Sequence, residues 1–373
     1  MPAGQVFPFH LCDLRALCGL LLGDQPRRPR ARSSPTHRRA RARTLPCATV
    51  TQDLLLFGVG LAALYFGAEW LVRGAARFAR ARGVSALAVG LTIVAFGTSS
   101  PELVVSTIAA ARGQDDVALG NVIGSNILNV GGVLGLAALI RPLRVGMRLL
   151  RREAPLLVLV SVAFGWLAWD GWIGRIDALL LLTGFAGYLA FVLGAARREA
   201  AGIEAEFDEF EAEEALAPRG ERGWVDVALM AAGLATLALG AHALVTGAVG
   251  LARAFGVSEL VIGLTIIAIG TSLPELATTA LAAARREADI AVGNIVGSSL
   301  FNLLCILGAA SAVRPLRVAP GLLTFEIPVM IAAAVLLLPF AWTRLRLERW
   351  EGALLLAGYL AFQGWLFWGP SAG

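Results

Sequence analysis

The sequence predicts an all-α polytopic membrane protein with ten transmembrane helices arranged as two inverted five-helix repeats. Three observations predict this fold class: the apolar composition, a long internal duplication and the uneven distribution of arginine. Of the 373 residues, 57% are hydrophobic and only 16% are charged, and the mean hydropathy is +0.71. A soluble chain of this length would need more charged surface. A membrane β-barrel would alternate apolar and polar residues, whereas these apolar runs are continuous.

Apolar runs of about 20 residues recur along the chain, and each is long enough to cross a hydrocarbon core of roughly 30 Å. The first of them lies within VTQDLLLFGVGLAALYFG, which starts at Val50. The predicted helices cover residues 53–72, 84–111, 117–140, 154–170, 174–196, 225–246, 257–284, 290–312, 321–342 and 350–369.

An internal duplication relates the two halves of the chain by a shift of 173 residues. The stretch GLTIVAFGTSSPEL at 90–103 returns as GLTIIAIGTSLPEL at 263–276, with eleven of fourteen residues identical. A second motif, GNVIGSNILN at 120–129, returns as GNIVGSSLFN at 293–302. Because each repeat holds five helices, an odd number, the second repeat must enter the membrane from the opposite side.

Arginine is concentrated in alternate loops. The loops after helices 1, 3, 5, 7 and 9 hold eighteen arginines, and the other loops hold five when Arg175 at a helix edge is included. Cytoplasmic loops are enriched in basic residues, so the first set is predicted to be cytoplasmic and both termini to lie outside. The chain then divides into a first repeat at 50–196, an acidic cytoplasmic linker at 197–224 and a second repeat at 225–373.

The N-terminal segment 1–49 is arginine-rich and lacks hydrophobic periodicity. We expect it to be disordered, and we expect translation to begin near Val50 rather than at Met1. This segment contributes +7 to the net charge of +5, so the remaining chain carries about −2. The basic balance therefore gives no reason to expect nucleic-acid binding.

Each copy of the first motif places a proline and a glutamate inside an apolar segment. Pro101 and Pro274 lack a backbone donor and clash with the carbonyl one turn earlier, so each predicts a broken helix. The break is expected to free carbonyls at 95–97 and 268–270, which in hydrocarbon need protein, water or an ion as partner. A glutamate follows each proline, and a carboxylate inside a bilayer costs several kcal/mol and is rarely kept without a function.

Oxygen-bearing side chains accompany these glutamates in both repeats. The threonine of each first motif lies one helical turn before the glutamate, and the second motif places asparagine, serine and asparagine at intervals of four residues. These residues are Thr98, Ser99, Asn121, Ser125 and Asn129, with Thr271, Ser272, Asn294, Ser298 and Asn302 as their counterparts. A set without imidazole or thiolate suits hard cations such as Ca²⁺ or Na⁺.

Other polar positions are interpreted as structural. Small residues in membrane helices often serve packing alone, and Cys305, which has no metal-ligand spacing, is interpreted as a packing residue. Glu69 and its counterpart His242 are expected near a membrane interface. Glu153 and Glu326 open helices, where a carboxylate is favourable with the helix dipole.

The paired motifs GTSSPEL…GNVIGSN and GTSLPEL…GNIVGSS resemble the two α-repeats of sodium/calcium exchangers, in the calcium/cation antiporter superfamily, of the bacterial calcium/sodium antiporter type. The resemblance covers nearly all of residues 51–369. It implies alternating access, with Na⁺ moving in and Ca²⁺ out, no cofactor and no enzymatic activity. It also implies that Glu102 and Glu275 are the central Ca²⁺ ligands. The further ligands that it implies for Na⁺ and Ca²⁺ are Thr98, Ser99, Ser125, Asn129, Thr271, Ser272, Ser298 and Asn302, with the carbonyls of Ala95 and Ala268.

This chain departs from many members of that family, which carry an aspartate at the position of Asn129 or Asn302. Ion stoichiometry and K⁺-dependent exchange therefore stay open. The nearest alternative is a Ca²⁺/H⁺ exchanger, although that branch usually has an acidic residue soon after its GN pair. No HExxH motif indicates a metalloprotease, and no GxSxG surrounds Ser99. Inverted halves with broken helices favour a carrier over a channel, and the compact chain favours a prokaryotic inner membrane.

Overall fold

The computed structural model describes residues 47–82, 84–210, 223–255, 268–342 and 345–368. The described chain is a bundle of helices joined by short loops and four two-residue strands. The helices are α1 (Cys47–Arg82), α2 (Ala86–Thr98), α3 (Ser100–Ala111), α4 (Asp115–Ile140), α5 (Leu149–Asp170), α6 (Arg175–Phe210), α7 (Gly223–Ala254), α8 (Ala268–Gly270), α9 (Leu273–Ala284), α10 (Ala288–Val313), α11 (a π turn, Leu322–Glu326, continuing as Ile327–Trp342) and α12 (Arg349–Trp368). The strands are β1 (Leu143–Arg144), β2 (Trp172–Ile173), β3 (Leu316–Arg317) and β4 (Arg346–Leu347).

The described helices confirm a polytopic membrane protein. Seven of them are long and apolar enough to cross a bilayer, or eight when the bent pair α2 and α3 counts as one span, judged by length and composition. Large apolar side chains such as Leu159, Leu179 and Leu239 lie 64%, 67% and 71% exposed on the outer surface, where lipid would cover them. The seventh predicted span, 257–284, is described only as α8 and α9. The tenth corresponds to α12, which is not among the seven.

Three helices, α1, α6 and α7, run further than the apolar pattern predicts, and α7 ends at Ala254 rather than residue 246. Helix α1 continues to Arg82 rather than residue 72, and α6 continues to Phe210, so the start of the predicted linker 197–224 is helical. Hydropathy marks where a chain leaves hydrocarbon, whereas a helix continues as long as each added residue adds a backbone hydrogen bond. Residues 211–222 of the linker, and nearly all of the N-terminal segment 1–49, lie outside the described residues.

The first helices of the two repeats, α1 and α7, pack closely through glycines. A Cβ placed on Gly67 would lie 2.8 Å from the backbone nitrogen of Leu237, and one on Gly233 would lie 2.7 Å from that of Leu71. Lipid offers no hydrophobic drive for helix association, so close backbone approach and dispersion must supply it. These glycines therefore serve packing, as predicted for most glycines of the chain.

Two small sheets mark opposite ends of the bundle. Strand β1 pairs with β4 and β2 pairs with β3, both antiparallel. Helix α5 connects β1 to β2 and α11 connects β3 to β4, so the two sheets lie at opposite ends of these two spans. Strands β1 and β3 are equivalent by the shift of 173 residues, and yet they belong to different sheets.

Short π turns also recur in the two repeats. The turn Leu149–Glu153 opens α5, and its counterpart Leu322–Glu326 opens α11. Within α4 and α10 a π turn covers Leu128–Leu134 and Asn302–Ile306 respectively. π turns are rare in proteins, and many of those that occur lie at functional sites. The two turns inside α4 and α10 contain Asn129 and Asn302, the last asparagine of each second motif.

The equivalent turns before α4 and α10 allow a test of how much a left-handed backbone conformation costs a residue other than glycine. Gly113 and Arg286 both adopt left-handed geometry, with φ of 73° and 68°. Glycine takes this conformation freely, whereas a residue with a Cβ loses about 1 kcal/mol. We expect Arg286→Gly to raise the stability of the purified protein and Gly113→Ala to lower it, each by about 1 kcal/mol. Thermal unfolding in detergent measures both, and shifts of the same sign would contradict the prediction.

Candidate functional site

The predicted helix breaks lie at the centre of the site. Helix α2 ends at Thr98 and α3 begins at Ser100, with a bend of 47° between them. Ser99 between them has φ −85° and ψ 8°, outside the helical region, and Pro101 occupies the first turn of α3. The second repeat has the same break between α8 and α9. Proline is tolerated in a first turn because the N–H groups there have no helical partner.

Each break directs a serine hydroxyl to the carboxylate of the other repeat. The hydroxyl of Ser99 donates to Oε1 of Glu275 at 2.6 Å, and that of Ser272 donates to Oε1 of Glu102 at 3.0 Å. The two serines are 173 positions apart in the sequence, and so are the two glutamates. The two repeats therefore exchange equivalent hydrogen bonds, and neither glutamate is held by its own repeat alone.

The second oxygen of each carboxylate has no hydrogen-bond partner. Glu102 and Glu275 are each 1% exposed, and their Oε2 atoms are buried without a donor. The amide oxygens of Asn129 and Asn302 are buried and unpartnered in the same way. A buried oxygen acceptor without a donor costs free energy, so four such oxygens in equivalent pairs indicate a place for a positively charged ligand.

The threonine hydroxyls contact the asparagines of the opposite repeat. Thr98 Oγ1 lies 3.2 Å from Oδ1 of Asn294, and Thr271 Oγ1 lies 3.4 Å from Oδ1 of Asn121. These contacts join Thr98 to α10 and Thr271 to α4, whereas the serine bonds join the two broken helices to each other. The spacing of the motif predicts Thr98 on one helical face with Glu102, whereas the structure breaks the helix at Ser99 and directs the hydroxyls of Thr98 and Ser99 to residues of the opposite repeat.

Two residues that the sequence reasoning missed fix these asparagines. The amide nitrogen of Asn121 donates to Oγ of Ser106 at 2.8 Å, and that of Asn294 donates to Oγ1 of Thr279 at 2.9 Å. Ser106 and Thr279 lie 173 positions apart, each one turn after a glutamate. The sequence could have revealed both residues, because each carries a hydroxyl and lies four residues after the glutamate of its motif.

The remaining predicted residues are arranged less symmetrically. Ser125 Oγ lies 3.2 Å from Ser272 Oγ, whereas its counterpart Ser298 donates to the carbonyl of Ala95 at 3.4 Å. That carbonyl also accepts the backbone N–H of Ser99 at 3.1 Å. The expectation that the break frees the carbonyl at 95 is therefore wrong, because nearby donors occupy it. Ala268 opens α8 beside the undescribed residues 256–267.

Carboxylates elsewhere in the bundle differ from those of the site. Oε1 of Glu69 lies 2.6 Å from Arg73 and 2.7 Å from Arg285, and Oε1 of Glu153 lies 3.3 Å from Arg148. No ion pair among the described residues includes Glu102 or Glu275. Within the same residues, no cluster of three or more His, Cys, Asp or Glu side chains could hold a metal ion. The negative charges of the site therefore have no counter-charge from the described protein.

Comparisons with known proteins identify the family. The chain matches the sodium/calcium exchanger protein family over residues 53–194 and 225–368. Inner membrane protein YrbG of Escherichia coli K12 is 38% identical over 313 residues, which cover 83% of this chain and 95% of YrbG. Sodium/calcium exchanger MaX1 of Methanosarcina acetivorans is 33% identical over 350 residues, covering 86% and 99%.

A solved structure of the sodium-calcium exchanger NCX_Mj, soaked with zero Na⁺ and Ca²⁺, has the same fold. The TM-score is 0.73 at 31% identity, and the match covers 85% of this chain and 99% of that one. The broken helices, the paired glutamates and these matches agree on one assignment. The chain belongs to the sodium/calcium exchanger family, whose members are membrane antiporters rather than enzymes.

Proposed function

We propose that this protein exchanges Na⁺ for Ca²⁺ by alternating access, with the ions bound between the two repeats at Glu102 and Glu275. One observation carries the proposal. Two carboxylates are buried inside apolar helices, each with one oxygen held by a serine and one without a donor. A charged group in this medium is costly unless a counter-charge is supplied. A bound cation supplies it.

The surrounding atoms suit a hard cation. Ca²⁺ takes six to eight oxygen ligands, and carboxylate, hydroxyl, amide and carbonyl oxygens all meet between α2, α3, α9 and the two central helices α4 and α10. The proposed ligands are the side chains of Thr98, Ser99, Glu102, Ser125, Asn129, Thr271, Ser272, Glu275, Ser298 and Asn302, with the carbonyl of Ala268. The two carboxylates balance the charge of one Ca²⁺ or two Na⁺.

Competition for the same carboxylates accounts for antiport. If Na⁺ and Ca²⁺ both need Glu102 and Glu275, they cannot occupy the site together. An empty site would have to carry two uncompensated negative charges through the apolar bundle, which is unfavourable. The loaded states are therefore the ones that cross, and the Na⁺ gradient drives Ca²⁺ in the opposite direction.

The positions of the two sheets support ten spans in two inverted repeats. Equivalent strands β1 and β3 lie at opposite ends of α5 and α11, as expected if the second repeat enters the membrane from the other side. The end with β1 and β4 holds the arginine-rich loops, so we place it in the cytoplasm, with the linker on the same side and both termini outside. The relative named as an inner membrane protein supports a prokaryotic inner membrane.

Cysteine labelling tests this orientation. Arg144 and Arg317 are equivalent and both exposed, so in a cysteine-free background we expect Arg317→Cys to react with an impermeant maleimide from outside intact cells. Arg144→Cys should react only after permeabilisation. Mass-tag gel shifts measure the labelled fraction. Labelling of both positions from one side would exclude the inverted arrangement.

Replacement of either glutamate tests the site. Proteoliposomes loaded with Na⁺ and diluted into Na⁺-free buffer should take up radiolabelled Ca²⁺. We expect Glu102→Gln and Glu275→Gln each to reduce the initial rate on the order of 100-fold, because the amide removes one of two compensating charges. Glu326→Gln, at a half-buried carboxylate that opens α11, is the matched control and should retain uptake.

The driving gradient distinguishes the alternatives in the same vesicles. Uptake that requires internal Na⁺ and is lost in both glutamine variants supports the proposal. Uptake driven by a pH jump alone would assign the protein to proton-coupled exchange, and a requirement for K⁺ would assign it to K⁺-dependent exchange. Absence of Ca²⁺ movement under every gradient, with Glu326→Gln and wild type equally inactive, would refute Ca²⁺ as the substrate.

The serine bonds between the repeats give a separate prediction. A hydrogen bond to a charged group contributes about 1.5–3 kcal/mol, so Ser99→Ala and Ser272→Ala should each raise the half-saturating Ca²⁺ concentration about tenfold or more. Ser311→Ala is the control, because the buried hydroxyl of Ser311 donates to Leu307 O of its own helix at 2.6 Å. Equal effects of all three substitutions on Ca²⁺ saturation would show that the serine bonds do not position the carboxylates.

A further inference from the structure

Strands β1 and β3 are equivalent in sequence, but their surroundings differ. In one sheet Arg317 of β3 lies opposite Trp172, and its backbone N–H donates to Oδ2 of Asp115 at 3.2 Å. In the other sheet Arg144 of β1 lies directly opposite Arg346. The duplication has therefore placed an aromatic ring facing one arginine and a second arginine facing the other.

A cavity opens where the two arginines face each other. Its volume is about 590 Å³, and Arg144 and Arg346 both line it. The position equivalent to Asp115 is here Ala288, which has no side-chain acceptor that could bond to β1. Asp289 and Glu348 are the acidic residues of the lining.

The charges of the cavity leave guanidinium donors free. Like charges directly opposite on paired strands are unfavourable. Nε of Arg346 lies 3.5 Å from Glu348, and no ion pair among the described residues includes Arg144. Asp289 lies in the first turn of α10, where a carboxylate offsets the positive end of the helix dipole. The lining thus holds two arginines and two carboxylates, of which, within the described chain, only Arg346 and Glu348 form an ion pair, and the unpaired donors of Arg144 favour an anion with several oxygens.

The surrounding surface places this cavity at the level of the lipid headgroups. Trp342 and Trp350, four residues before and after Arg346, are 74% and 63% exposed. Ile140, at the end of α4 just before β1, is 42% exposed. Tryptophan is enriched at membrane interfaces, with apolar residues on the hydrocarbon side. An anion held between Arg144 and Arg346 would therefore lie beside the acyl chains of the bilayer.

We propose that Arg144 and Arg346 bind the phosphate of an anionic phospholipid headgroup in this cavity. The ligand is a lipid because the cavity adjoins apolar, aromatic surface, and it is anionic because two arginines line the cavity. The proposed lipid site is independent of exchange activity, because it depends only on the fold and the membrane boundary.

Native mass spectrometry of the delipidated full-length protein in detergent tests the proposal. Phosphatidylglycerol, phosphatidylethanolamine and inorganic phosphate are titrated separately. We expect wild type to retain phosphatidylglycerol in preference to the other two. Each of Arg144→Gln and Arg346→Gln should weaken that binding about fivefold, and the double variant roughly 25-fold. Arg317→Gln, at the equivalent position of the other sheet, is the matched control and should leave it unchanged.

The outcomes separate a specific lipid site from general charge. Loss of phosphatidylglycerol in the double variant, with retention in Arg317→Gln, supports the proposal. Equal loss in Arg317→Gln would show a general basic surface, and equally tight inorganic phosphate would show a site for soluble anions. Unchanged binding in the double variant would place the lipid elsewhere. If the double variant does not fold, judged by its Tm, the Arg144→Gln and Arg144→Lys variants decide by the same criteria.

Discussion

The arrangement of the bundle depends on one constraint, the cost of a carboxylate without a counter-charge in a low-dielectric interior. The serine bonds satisfy one oxygen of each glutamate, and within the described chain no arginine neutralises either of them. Glu69 and Glu153 show the other solution, because each has an arginine beside it. The absence of such a partner among the described residues distinguishes Glu102 and Glu275 from these two carboxylates and is the basis of the proposed ion site.

The helix breaks and the central helices meet this constraint together. Each break lies at a threonine and a serine and is followed by a proline and a glutamate in the first turn of the next helix, so hydroxyls and carboxylate emerge close together. Helices α4 and α10 supply asparagines that are themselves held by Ser106 and Thr279. Glycine packing of α1 against α7 completes the bundle around them. The polar groups are thereby concentrated in one small volume inside an otherwise apolar protein.

Much of this was predictable because its causes are local in sequence. Proline chemistry predicts the breaks, the length of apolar runs predicts the spans, and the shift of 173 residues pairs Ser99 with Ser272 and Glu102 with Glu275. The hydrogen bonds and strand pairings between elements that are distant in sequence were not predictable. The reciprocal serine bonds, the occupied carbonyl of Ala95 and the pairing of β1 with β4 depend on how distant helices meet. Helix α6 exceeded its predicted end because apolar patterns report hydrocarbon, not hydrogen bonding.

The reciprocal serine bonds also constrain how the two halves can diverge. Since Ser99 serves Glu275 and Ser272 serves Glu102, one repeat alone would contain a hydroxyl without its acid and an acid without its hydroxyl. A single repeat could complete the arrangement only by assembling with a second copy of itself. A substitution at any of these four positions is therefore expected to affect its partner in the other repeat. Among the described residues, no hydrogen bond of this reciprocal kind links the two small sheets at the ends of the bundle. There the equivalent positions differ, with Asp115 in one repeat and Ala288 in the other, and only one sheet pairs two arginines.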